Sequence, residues 1–166
     1  MKPRLRAVIA LALQVTTTGC SALGQTGYVE ARASTANYTE MYIDYTFYDT
    51  NGRNLSLGGS AAPFSKGGVG GIECCAMLPS PGHTVRVAWD EETPGRSEST
   101  THHYSRDVVV LGTQPISKDS YNYVITRFFA GQKVEVEFVS ELKGAGRSPR
   151  LDQLFYGRNV MRHMGE

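Results

Sequence analysis

The chain has 166 residues, with 17 Lys+Arg against 16 Asp+Glu and 40% hydrophobic residues. That length accommodates one domain with a real core and is short for two. Charged residues at 20% and aromatics at 10% exclude a disordered or coiled-coil chain, and the near-neutral balance argues against a nucleic-acid binder that works by phosphate neutralisation.

Residues 1–19 read as a targeting segment. Lys2, Arg4 and Arg6 precede the apolar run Ala7-Val8-Ile9-Ala10-Leu11-Ala12-Leu13, far shorter than the ~20 residues a membrane-spanning helix needs. Thr16-Thr17-Thr18-Gly19 then leads into Cys20-Ser21. Small residues before a cysteine resemble the lipobox of bacterial lipoproteins, which implies acylation of Cys20 and cleavage in front of it. The alternative is an ordinary signal peptide with a chance cysteine. Ser21, in place of the Asp that in the enterobacterial pattern holds lipoproteins at the inner membrane, leads the resemblance to imply outer-membrane delivery, with the domain facing the periplasm or the cell surface. Acyl chains, at about 0.8 kcal/mol per buried methylene, would make that anchor permanent. Cleavage removes three bases and no acid, leaving 14 against 16 and a net charge of −2, so the slight basicity belongs to the signal.

Residues 20–37 are small and polar without a sustained period and read as a flexible tether, although Tyr28 and Val29 could begin a strand. A β domain is expected over 38–142. Met41, Ile43, Tyr45 and Phe47 alternate with Tyr42, Asp44, Thr46 and Tyr48, a period of two, and Thr50-Asn51-Gly52 supplies a turn into a return strand at 54–57. Ile72 to Leu78 forms the next strand, closed by Pro79-Ser80-Pro81-Gly82, and Val85, Val87 and Trp89 mark the core face of another. The acid-, Ser- and Pro-containing stretch from Asp90 to Thr101 is expected as an exposed loop, and Asp107 to Leu111 as a central strand. Residues 122–140 read as a hairpin turning at Ala130-Gly131-Gln132, its last strand carrying an acidic outer face. In the extension 143–166, Ser148 caps a helix with Pro149 at its first position. Leu151, Leu154 and Phe155 share one face, and Arg158 and Arg162 lie near its end. The expected fold is all-β, an antiparallel sandwich or partly open barrel of about seven strands with a short C-terminal helix.

Gly70-Gly71-Ile72-Glu73-Cys74-Cys75-Ala76-Met77-Leu78-Pro79 is the most distinctive passage. Consecutive side chains on a strand point to opposite faces, so Cys74 and Cys75 read as two small buried hydrophobes, or as a vicinal disulfide across a distorted or cis peptide. Zinc or redox chemistry is the weakest reading, because the chain has no second Cys pair and no His at ligand spacing. His102-His103 diverge on a strand and fit an exposed loop or strand edge better than a metal pair. The nucleophile elbow, the His-Glu-x-x-His motif and the P-loop are all missing from the sequence, so no catalytic residue, metal or cofactor is expected. Tyr42 and Tyr48 share a polar face and read as partly exposed sheet filler or as an interface, and Asp90, Glu91 and Glu92 read as a solvated loop or as an acidic run able to bind calcium or meet a basic partner.

The passage from 70 to 79, the Val85-Arg86-Val87-Ala88-Trp89 strand, Tyr42-Ile43 with Asn51-Gly52 upstream and Val134-Glu135-Val136 downstream together resemble an uncharacterised family of proteobacterial lipoproteins. Genes of that family often lie beside type VI secretion effectors of the phospholipase class. The resemblance therefore implies an immunity protein that binds and occludes a lipase effector. A structural or assembly lipoprotein of the envelope is the alternative.

Overall fold

A computed structural model describes residues 27–70, 73–95, 100–115, 117, 119–156 and 163–165. The signal segment, Cys20, Arg158, Arg162 and the Phe155 side chain lie outside that description. The architecture is an all-β sandwich of two sheets. The strands are β1 (Tyr28–Asn37), β2 (Tyr42–Tyr48), β3 (Asn54–Ala61), β4 (Glu73–Pro79), β5 (Thr84–Glu92), β6 (Thr101–Val109), β7 (Leu111–Gly112), β8 (Ser120–Phe129) and β9 (Lys133–Leu142). One sheet has the order β4-β1-β8-β9-β7 and the other β3-β2-β5-β6. Pairing is antiparallel except for β1 with β8 and β7 with β9, which are parallel.

The core forms because alternating strands turn one apolar row inward. Ile43, Tyr45 and Phe47 of β2 and Val85, Val87 and Trp89 of β5 face Val124 and Phe128 of β8 and Val134, Val136 and Phe138 of β9, all buried. The Phe128 ring lies 5.3 Å from that of Tyr45 and 5.7 Å from that of Trp89, tying the two layers together. The β2–β3 turn is held by a carboxylate. Asp49 Oδ1 accepts from the backbone N–H groups of Asn51 (2.9 Å) and Arg53 (2.8 Å), and Gly52 supplies the positive φ of 82°.

Four expectations need correction. The first is the tether: from Tyr28 onward it is β1, hydrogen-bonded between β4 and β8. Ala31, Ala33, Ser34, Thr35 and Ala36 are all buried, and small side chains suit an interior strand covered on both faces, which removes the alternation that marks a half-exposed one. Asn37 closes β1 by donating to the carbonyls of Met41 (2.7 Å) and Ala62 (2.9 Å).

The second is the loop at Asp90, since β5 continues to Glu92 in register with β6. The third is the central strand at 107–111. It splits instead between β6, an edge of one sheet, and β7, an edge of the other. Buried Val110 makes the crossing, while Val109 and Leu111 are exposed. The fourth is the acidic outer face of β9, where Glu135, Glu137 and Glu141 are buried.

The C-terminal segment covers the outer side of the five-stranded sheet, which explains those buried acids. Ser148 caps α1 (Pro149–Leu151) by accepting from the Leu151 N–H at 3.1 Å, and a π-helical turn follows over Asp152–Tyr156. Leu151 and Leu154 pack on Ile125 and Val139 as a second, smaller core. Arg150 donates from both Nε (2.7 Å) and a terminal nitrogen (2.8 Å) to the Glu137 carboxylate, a bond that raises the Arg150 pKa further above its ordinary value. The Ser148 N–H donates to Glu141.

Candidate interaction face

The outward side of the four-stranded sheet is assembled by register. Across β2 and β5, Tyr42 stands opposite Glu92, Asp44 opposite Asp90, Thr46 opposite Ala88 and Tyr48 opposite Arg86. Partners directly opposite share a face. Ile43, Tyr45 and Phe47 point into the core, so this second row points to solvent. On the far side of β5, His103 is opposite Asp90 and Asp107 opposite Arg86.

A shallow depression of about 990 Å³ lies on this face, with Asp44, Tyr48, Asp90 and His103 along its walls and Gly58 on its floor. A Cβ on Gly58 would fall 2.2 Å from the Tyr45 carbonyl oxygen, so only glycine permits this approach of β3 to β2. The face is polar and charge-ordered. Arg86 donates from Nε (2.7 Å) and a terminal nitrogen (3.0 Å) to the Asp107 carboxylate, which raises the Arg86 pKa and lowers that of Asp107. His103 Nδ1 meets Asp90 Oδ1, and Lys66 Nζ donates to the Tyr42 hydroxyl at 2.7 Å. Asp44 and Asp90 stand opposite each other as like charges, an arrangement that disfavours the sheet on its own account.

Of the five residues expected at an interface, Tyr42, Tyr48, Asp90 and Glu92 come together here. Glu91 does not. It alternates with Asp90 and Glu92, lies on the core side beside Trp89, and accepts from the Trp89 indole N–H at 3.1 Å. Trp89 is fully buried, as expected for a core residue. Asp44 and His103 were not among the residues expected at an interface. The alternation over 41–48 carries Asp44, but His103 depends on a β5–β6 pairing hidden by the polar stretch between them.

Cys74 and Cys75 are joined by a disulfide, the peptide between them is cis, and both side chains are exposed, which overturns their reading as buried hydrophobes. They sit on β4 where the register against β1 slips, Ala31 pairing with Ala76 but Ala33 with Glu73. The extra β4 residue makes a bulge, and a bulged edge strand turns its side chains toward solvent. His102 and His103 are exposed on β6, an edge strand. Among the described residues, no group of three or more His, Cys, Asp or Glu is placed to hold a metal ion, and no helix is long and apolar enough to cross a membrane. Comparison with known proteins gives no significant match to this chain from any family model, curated protein or solved structure.

Proposed function

We propose that the chain is a lipid-anchored binding protein of the outer membrane, its β domain in the periplasm, that neutralises a type VI secretion phospholipase by covering the mouth of its active site. The observation that carries this reading is the grouping of Tyr42, Tyr48, Asp90 and Glu92 on one outward sheet face, beside the Asp44–Asp90 pair. Tyrosines on a rigid sheet provide contact area at low conformational-entropy cost, and opposed aspartates gain most when a cationic side chain from a partner lies between them. The basic–apolar–small order ending in Thr18-Gly19-Cys20 supports the anchor. Occlusion requires no chemistry from the inhibitor, only an interface on the order of 1,600 Å² in total.

Co-purification tests the reading. The chain carrying Cys20→Ser, used as bait against a type VI secretion lipase encoded beside its gene, is expected to retain that lipase. Tyr48→Ala together with Asp90→Lys, both half-buried on the outward face, weakens capture at least tenfold, as expected for loss of an interface anchor. A lipase captured without loss of its activity would indicate an accessory lipoprotein instead. A lipase not captured at all would contradict the proposal.

A further inference from the structure

The four sheet edges are not alike. β4 is bulged at Cys74–Cys75. β3 slips against β2 between Thr46 and Tyr48, with Ser56 at a positive φ of 55°. β7 is two residues long. These are the devices by which proteins blunt the unpaired N–H and C=O groups of an edge. Among the described residues no strand pairs with the outer side of β6, and β6 is neither bulged nor short. It runs from Thr101 to Val109 without Gly or Pro and keeps one register with β5 from Thr84↔Val109 to Glu92↔Thr101. His103, Ser105, Arg106 and Asp107 are exposed along it.

The sequence of β6 is also complementary to itself. Antiparallel pairing about a two-fold axis at Ser105 sets His103 opposite Asp107 and Tyr104 opposite Arg106, each contact occurring twice as an isologous interface requires. His103, Ser105 and Asp107 lie on the outward face and Tyr104 and Arg106 on the other, so both sets match at once. The outward row would then read Asp90, His103, the second copy's Asp107 and the second copy's Arg86, which sets the imidazole between two carboxylates and Asp107 between the imidazole and its own arginine. On the opposite face the Arg106 guanidinium would lie against the second copy's Tyr104 ring. We infer that the free edge of β6 pairs with β6 of a second copy of this chain, joining two four-stranded sheets into one of eight strands. This inference does not rest on the lipase reading, since it concerns the edge of the sheet and not what its face binds.

Sedimentation equilibrium of the full chain carrying Cys20→Ser, together with a position-specific cross-link, tests it. The expected mass is twice that of the monomer. Ser105→Cys, on the two-fold axis, places its thiol against its own copy at a Cα separation of about 5 Å and forms a disulfide-linked dimer on mild oxidation. Thr101→Cys lies about 26 Å from its own copy at ~3.3 Å per residue and does not cross-link. Both positions are exposed, so neither variant disturbs the core. A monomeric mass at high concentration would overturn the inference, and so would a dimer in which Thr101→Cys cross-links and Ser105→Cys does not.

Discussion

Arg127 and Glu135 stand opposite each other on β8 and β9, joined at 2.8 Å with side-chain exposures of 0% and 4%. A buried pair is sensitive to loss of one member, because the other is left charged in a medium that solvates it poorly. Arg127→Met is therefore expected to cost about 3–5 kcal/mol in urea denaturation, and the double variant Arg127→Met with Glu135→Leu much less. Asp49 is tuned differently. The backbone N–H of Arg53, followed by that of Asn51, holds its carboxyl below the ordinary Asp value. A folded-state pKa below the unfolded one contributes stability above the unfolded value, about 3.9, and that stability disappears as pH falls through the folded value. Asp49→Asn should lower stability at neutral pH, where the ionised carboxylate contributes, and change it least at low pH, so that the acid limb of the stability–pH curve flattens over that window. An unchanged acid limb would show that the turn is held by other contacts. The turn at Asn51-Gly52 was legible beforehand, but the burial of Glu135 was not, since Lys133, Glu135 and Glu137 alternate as a solvent-facing row would and nothing local reveals the layer above them.

That layer is an element-scale feature, and its start was readable. Ser148, Pro149 and the apolar pair Leu151 and Leu154 have the spacing of a capped amphipathic turn, and both leucines are buried as that spacing requires. What it packs against was not readable, because Ile125 and Val139 contact it only after β8 and β9 have paired. Leu154→Ala should destabilise the fold by about 2–5 kcal/mol, and Ser148→Ala by about 1 kcal/mol, both measured as shifts in urea midpoint. β1 escaped for the opposite reason. Its Ala, Ser and Thr side chains are small enough for a strand covered on both faces, and that property looks like a linker when read one residue at a time. β2, β5, β8 and β9 each keep one apolar row facing the core and were evident from alternation alone.

At the scale of the whole molecule, the layering decides which surfaces remain for partners. The C-terminal segment covers part of the outer side of the five-stranded sheet, where Leu151 and Leu154 sit. The outward side of the four-stranded sheet keeps its tyrosines and acids exposed or half-exposed, with Tyr42 at 36%. Sequence patterning placed Tyr42, Tyr48, Asp90 and Glu92 among the candidate residues for an interface, and the structure puts these four on one outward face. The patterning also counted Glu91, because parity along β5 could not be known while the strand was taken to stop at Trp89. The proposed function assigns that outward face to contact with a lipase effector.

Hydrolysis of phospholipid vesicles by a type VI secretion lipase encoded beside the gene, titrated with this chain, tests the proposed occlusion most directly. Activity falling to the baseline near one equivalent, and recovering when Tyr48→Ala and Asp90→Lys are combined, is the predicted result. Lipase activity unchanged by a large excess of the chain would contradict it.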